Sequence, residues 1–264
     1  MKIVYLEYWG LNKKPFENTP DPEYFYFSDG HKEGYERMMY AVTENKGGAM
    51  LTGEYGCGKT TLLRIIAGKT MNDDREIVVV NNPNYEPEEL LAEIIYQLGE
   101  EASEKSRVEL SKQIEDILYR KFQSGREVII MIDEAQLMRN DNVFEELRLL
   151  LNHQLNDRFL VTILLVGQPE LRERVTKMPQ FEQRFAIKYH LHSFNLEETG
   201  KYISHRLSIA GLDSKIVNDD AIEAVFNASY GVPRKINSIC DLALMTAARR
   251  NIKIVDSALI NMVI

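Results

Sequence analysis

The chain has 264 residues, with 40 acidic side chains against 32 basic ones for a formal net charge of −8, and it is 44% hydrophobic and 27% charged. Those values describe a folded acidic protein of one large or two modest domains and exclude a disordered tail. The longest apolar run, residues 159–166, is broken by Thr162 and falls far short of the roughly 20 residues a membrane span needs, so no membrane insertion is expected.

At the start of the chain, residues 1–9 carry Lys2 and Glu7 and no uninterrupted apolar stretch, which argues against a secretory signal. Residues 10–28 are dense in Pro, Asn, Asp and aromatics, and this reads as an irregular packed lead-in. Ser28 or Asp29 then caps a helix reaching about residue 44, Gly47 and Gly48 interrupt it, and residues 49–52 form a short buried strand. A glycine-rich turn follows at once. Residues 60–69 have a helical pattern, 76–80 a strand pattern, and 87–98 open with proline and acids as a helix N-terminus prefers. A second helix, about 104–122, leads to a strand at 127–132.

Further along come a helix at 141–151, a strand at 159–166, a short helix from Pro169 and a strand at 187–191. Strands and helices alternate, and the strands are continuously apolar instead of alternating with period 2. That combination predicts an α/β fold with a parallel sheet covered on both faces. Beyond residue 194 the pattern is helical only, at 195–209, 219–229, 233–250 and 257–263, with Asp219 and Asp256 near helix starts. The expected organisation is therefore a lead-in at 1–28, an α/β domain at 29–194 and a small helical domain at 195–264.

Charge divides along the same line. Residues 195–264 hold eight basic and eight acidic side chains, so the whole acidic excess lies in the α/β part. It is densest at Glu86, Glu88, Glu89, Glu93, Glu100, Glu101 and Glu104, with no lysine or arginine between them, a face that repels phosphate backbones. Cys57 and Cys240 stand far apart and neither belongs to a Cys-x-x-Cys pair, so a reducing cytoplasm is the expected location. His190 and His192 share one strand face without a cysteine or carboxylate beside them and are read as structural, not as a metal site.

The first chemistry-bearing pattern is Gly53-Glu54-Tyr55-Gly56-Cys57-Gly58-Lys59-Thr60, which satisfies G-x-x-x-x-G-K-[ST] between a predicted strand and a predicted helix. Glycines let such a loop curl so that successive N–H groups point at phosphate oxygens, and the helix N-terminus, with Thr61 in its first turn, adds positive dipole. Lys59 supplies charge to the outer phosphates, and Thr60 offers a hydroxyl to Mg²⁺. The second pattern is the apolar strand ending in Asp133-Glu134. Open α/β sheets bind ligands at the carboxyl ends of their strands, so Asp133 is expected in the Mg²⁺ shell and Glu134 as the group that orients and deprotonates water. Gln168, in Gly167-Gln168-Pro169 after the next strand, is placed to sense a γ-phosphate. Arg184 precedes the final strand as an arginine-finger candidate, with Arg172 and Arg174 as competitors. Gly231-Val232-Pro233-Arg234 fixes Arg234 at the start of the longest terminal helix.

In this order the patterns resemble those of AAA+ ATPases: a P-loop, an Asp-Glu strand end, sensor 1, an arginine finger, then a helical lid with sensor 2. More narrowly, the chain resembles the general secretion pathway protein A (ExeA-type) family, which is related to TniB-like transposition ATPases. The stretches that carry this are Pro15-Phe16, Thr19-Pro20-Asp21-Pro22, Asp133-Glu134-Ala135-Gln136, Glu145-Glu146-Leu147-Arg148-Leu149-Leu150-Leu151-Asn152, Val166-Gly167-Gln168-Pro169-Glu170-Leu171-Arg172 and Gly231-Val232-Pro233-Arg234-Lys235-Ile236-Asn237. The resemblance implies ATP and Mg²⁺ as cofactors, a homo-oligomer, and adenine lying against the lead-in, with Phe16 and Tyr26 as candidate contacts. Secretion members continue into a membrane segment and a peptidoglycan-binding region, patterns these 264 residues do not contain, so attachment at the inner membrane is expected to run through a partner. The implied function is Mg²⁺-dependent ATP hydrolysis that drives assembly or remodelling of partner proteins in secretion or pilus biogenesis. The alternative is an ATP-dependent DNA-binding regulator of transposition, for which Lys235, Arg249, Arg250 and Lys253 are the basic cluster to nominate. A third reading, a switch that binds ATP without turnover, is disfavoured by Glu134.

Overall fold

The computed structural model describes residues 5–72, 74–102, 106–155 and 158–264. Among them lie α1 (Tyr5–Trp9), a 3₁₀ turn (Pro22–Tyr24), α2 (Asp29–Thr43), β1 (Gly48–Gly53), α3 (Lys59–Thr70), β2 (Arg75–Val80), α4 (Pro87–Gln97), α5 (Arg107–Gln123), β3 (Glu127–Ile132), a second 3₁₀ turn (Ala135–Leu137) and α6 (Asp141–Leu150). They continue with β4 (Gln154–Leu155), β5 (Arg158–Phe159), β6 (Val161–Gly167), α7 (Pro169–Thr176), α8 (Pro179–Glu182), β7 (Ile187–Leu191), α9 (Leu196–Ile209), α10 (Asp219–Ser229), α11 (Pro233–Arg250) and α12 (Ser257–Asn261). The chain forms two compact units, a sheet unit of residues 32–53 and 62–191 and a helical unit of 1–31, 54–61 and 192–264.

In the sheet unit, five strands run in the order β2-β3-β6-β1-β7, and every neighbouring pair is parallel. The interior strands β1 and β6 are buried along their whole length and β3 in all but its first residue, whereas the edges β2 and β7 are only partly covered. That gradient is why the central strands read as mostly apolar runs without a period of two. A single core joins the sheet to its helices, including Met50, Ile130 and Ile163 from strands, Leu91 from α4, Ile117 from α5 and Phe144 from α6. Because the strands are parallel and in register, with Thr52 beside Gly167 and Leu165 beside Ile132, the carboxyl ends of β1, β3 and β6 share one edge of the sheet.

Two local expectations shift. The strand expected at 159–166 is split at Leu160, whose N–H turns to the His153 carbonyl at 2.9 Å, so Phe159 pairs antiparallel with Gln154 while β6 begins at Val161. The helix expected from Glu104 starts at Arg107, because Ser106 takes the cap position and its N–H donates to the Glu109 carboxylate at 3.0 Å. Glu104 itself, also the last of the acidic series, lies outside the described residues, as do residues 1–4 of the N-terminal stretch.

The helical unit has its own core, in which Tyr5, Trp9, Leu11 and Phe16 pack with Ile203, Leu207, Ile236, Leu244 and Ile260. The lead-in is thus an integral layer of this unit. Arg206, 6% exposed, explains how an irregular segment is held. Its guanidinium donates to the Pro15 carbonyl, to the Glu17 carbonyl at 3.1 Å and to the Tyr202 hydroxyl at 2.8 Å, and stacks 4.7 Å from the Tyr24 ring centre. Carbonyl dipoles and ring faces thereby offset the cost of burying a charge.

Candidate functional site

The phosphate-loop pattern lies in the helical unit at Glu54–Thr61 and follows directly from Gly53, the last residue of β1. Gly56 and Gly58 adopt φ of +84° and +94°, conformations that side chains disfavour, and this curls the loop. Space demands glycine as well, since a Cβ on Gly56 would sit 2.8 Å from Cβ of Arg234, and one on Gly58 would sit 3.2 Å from His31 Nε2. Lys59 is 5% exposed, and its ammonium donates to the Glu54 carbonyl at 2.9 Å, back across the loop. Thr60 and Thr61 are half-buried in the first turn of α3, Glu54 and Tyr55 are exposed, and Cys57 is fully buried. Burial pushes the Cys57 thiol up to about 11, so it packs as an apolar group and not as a nucleophile.

A buttress under the loop has no counterpart among the sequence expectations. His31, 2% exposed, has Nε2 2.9 Å from the Cys57 carbonyl and Nδ1 2.7 Å from the Ser28 hydroxyl. Burial pushes the imidazole down to about 4, so at neutral pH it is uncharged and donates one N–H to the loop while accepting from Ser28. The signal was the Ser-x-x-His spacing at a helix start, which brings the two side chains together.

In the same unit, Gly231 has φ of +70°, and a Cβ there would fall 1.8 Å from the Phe194 carbonyl oxygen. This enforced glycine sets Pro233 and Arg234 at the first turn of α11. Arg234 donates through Nη1 to the Tyr55 hydroxyl at 2.5 Å, lies 4.9 Å from that ring centre, and its backbone N–H reaches the Gly56 carbonyl at 3.3 Å. Arg234 and the glycine-rich loop are therefore in direct contact. Phe16 is 2% exposed inside the helical core, which leaves no face for a base, while Tyr26 is half-buried with its ring 5.7 Å from that of Phe194.

The second cluster lies in the sheet unit, at the shared carboxyl edge of β3 and β6. Asp133, 3% exposed, donates its N–H to the Val80 carbonyl at 2.9 Å, and its carboxylate accepts the N–H of Glu134 at 2.9 Å. Glu134 sits in the left-handed region at φ +51°, uncommon for a long side chain. Its Oε2 accepts from the Gln136 amide at 2.5 Å and from the Gln168 amide at 3.4 Å. The structure thus brings Glu134 and Gln168 together and adds Gln136, a residue quoted within Asp-Glu-Ala-Gln but assigned no role from sequence.

The arginine candidates separate by position. Arg174 donates to the carbonyls of Gln136 and Met138 and to Asp141 at 2.6 Å, the signature of a structural clamp. Arg172 is exposed on α7. Arg184 lies at the opposite, amino edge of the sheet: its carbonyl oxygen is 2.6 Å from where a Gly48 Cβ would stand, and its guanidinium donates to Asn152 at 2.6 Å.

The sequence profile of the family described as "AAA domain" matches residues 42–175. General secretion pathway protein A of Aeromonas hydrophila is 34% identical over 257 residues, which are 96% of this chain and 46% of that protein. The chain thus spans about half the length of that relative. Among solved structures, the Aeropyrum pernix ORC2 protein in its ADPNP–ADP complexes is similar over 96% of this chain and 71% of that chain, with a TM-score of 0.68 at 18% identity. Cdc6p from Pyrobaculum aerophilum is similar over 85% and 64%, with a TM-score of 0.66 at 15% identity. These two likenesses bear on the fold, which agrees with the five-stranded parallel sheet and its following helices. With a glycine-curled phosphate loop leaving β1, an Asp-Glu pair ending β3 and a polar residue after β6, the chain belongs to the AAA domain family of P-loop ATPases.

Proposed function

We propose that this protein is a Mg²⁺-dependent ATPase whose hydrolysis drives the assembly or remodelling of partner proteins, in secretion or pilus biogenesis. The carrying observation is that adjacent parallel strands β3, β6 and β1 end at one sheet edge in Asp133-Glu134, Gln168 and the start of the phosphate loop. In this reading the loop N–H groups and Lys59 bind the β and γ phosphates, and a helix N-terminus favours the negative charge. The buried Asp133 carboxylate and the Thr60 hydroxyl, both hard oxygen donors, suit Mg²⁺. Bound Mg²⁺ supplies positive charge that offsets the repulsion among phosphate oxygens. Glu134 orients water and accepts its proton, Gln168 reads the γ-phosphate, and Arg234 reports nucleotide to the helical lid.

Arg184 acts on a neighbouring protomer. Its position at the amino edge supports this, because the edge from which the phosphate loop leaves is the other one. Self-association is then part of the catalytic cycle. A role in secretion follows the name of the Aeromonas relative, general secretion pathway protein A, and the net charge of −8 supports protein partners over nucleic acid. Lys59→Ala tests the phosphate site: isothermal titration is expected to show loss of ATP binding, and unchanged affinity would refute the assignment. Capture of partners from native lysate with ATP-locked Glu134→Gln tests the process. Envelope assembly proteins are expected; transposase or DNA would move the protein to transposition.

A further inference from the structure

We infer that Gln136 is a positioning residue for the hydrolytic reaction, a bracket that fixes the reactive orientation of Glu134 and ties it to the backbone of Gln168. The inference rests on the ATPase reading above and adds a residue and a linkage to it. Gln136 uses both ends of its amide: Nε2 donates to Glu134 Oε2 at 2.5 Å, and Oε1 accepts the N–H of Gln168 at 3.0 Å. The Gln136 backbone is itself held, since its carbonyl accepts from Arg174 at 3.3 Å, and Arg174 is fixed by Asp141 and lies 4.8 Å from the Phe144 ring centre. Room for the amide is made by Gly167, where a Cβ would approach Gln136 Oε1 to 2.7 Å.

A residue serving only the 3₁₀ turn would satisfy its own backbone and leave its side chain in water. Here the side chain spans two elements, the turn after β3 and the end of β6. The consequence for Glu134 is asymmetric. Both amide donors fall on Oε2, while Oε1 takes no hydrogen bond among the described residues. One carboxylate oxygen is anchored and the other is left to take a proton from water. Because the same amide grips Gln168, any movement of the γ-phosphate sensor's backbone is passed to the base through one rigid group.

The test measures phosphate release by the full chain against ATP concentration and pH, at one protein concentration, for the parent, Gln136→Met, Gln136→Glu and Glu134→Gln. Methionine keeps the length of the side chain but removes both hydrogen bonds. The expected result is ATP affinity and KM within about twofold of the parent and kcat reduced about tenfold or more, toward the Glu134→Gln value. Glutamate at 136 places a second carboxylate beside Glu134, so one of the pair holds its proton to higher pH, and the acid limb of the kcat profile is expected to move up by about one pH unit or more. Unchanged kcat in Gln136→Met overturns the inference, as does parallel loss of ATP affinity, which would make Gln136 a scaffold residue. An unmoved acid limb in Gln136→Glu also overturns it and decides the matter if the methionine variant fails to fold. Absence of phosphate release by the parent would instead defeat the ATPase reading, and parent-like turnover by Glu134→Gln would remove Glu134 as the base, both separate failures.

Discussion

Arg184→Ala tests whether this arginine serves a neighbouring active site. Its backbone lies beside Gly48 at the first residue of β1, and the phosphate loop leaves β1 after Gly53. Five residue steps along a parallel strand span about 17 Å. A fully extended arginine side chain reaches less than half of that, and this one already points to Asn152. Arg184 so placed falls short of the carboxyl end of its own β1, and in the proposed reading it serves a neighbouring protomer, where an arginine delivered in trans contributes on the order of 10³-fold or more to turnover. Arg184→Ala should keep the ATP affinity of the parent and lose about 10³-fold in kcat, and parent activity per protomer should rise with protein concentration. Mixing provides the control. Arg184→Ala protomers keep an intact pocket and Lys59→Ala protomers keep the arginine, so the mixture should regain activity that neither shows alone. A mixture as inactive as its parts, or parent activity independent of concentration down to the monomer, refutes the trans assignment.

Arg206→Met should destabilise the helical unit by about 3 kcal/mol, since three hydrogen bonds from a charged donor are lost and two lead-in carbonyls are orphaned. Trp9, the single tryptophan, lies in that unit's core, so urea unfolding followed by its fluorescence isolates the effect; a midpoint equal to the parent's would refute it. His31 binds a proton near pH 6.5 when unfolded but only near about 4 when folded, so the unfolded state holds more protons between those values and stability falls as pH drops through them. The full difference is on the order of 3 kcal/mol, and His31→Gln, which keeps a donor for the Cys57 carbonyl, should show a correspondingly smaller loss between pH 7.5 and 4.5. Binding to duplex DNA should be weak near 150 mM salt, because few phosphate contacts are available to an acidic chain, whereas the transposition reading demands an affinity that falls steeply as salt rises. Submicromolar ATP-dependent binding under those conditions would favour the transposition reading.

The fold was legible because parallel burial and helix periodicity leave different marks: the short, mostly apolar runs at β3 and β6, alternating with helical patterns, point to interior strands, and the strand–loop–helix context of Gly53 to Thr60 points to the carboxyl edge of the sheet. Breaks that depend on one distant hydrogen bond were not legible, as at Leu160, whose partner is the His153 carbonyl. The lead-in was visible as irregular, but its role as a layer of the helical core depends on Arg206, a contact almost two hundred positions away in sequence. Within the site, charged residues at strand ends announced themselves, since a carboxylate closing an apolar strand needs a reason. Gln136 and His31 did not. A neutral amide in a turn and a buried imidazole at a helix start look like ordinary residues until the structure shows what each end of the side chain holds.

The central claim is that ATP is hydrolysed with Glu134 as the base, and the direct measurement compares ATP binding and phosphate release by Glu134→Gln and the parent under identical conditions. The amide keeps the shape of the carboxylate but cannot accept the proton of water, and general base catalysis contributes about 10²- to 10⁴-fold. Binding equal to the parent's, with phosphate release reduced about 10²-fold or more, is the predicted result. Equal phosphate release by the two proteins would contradict the account.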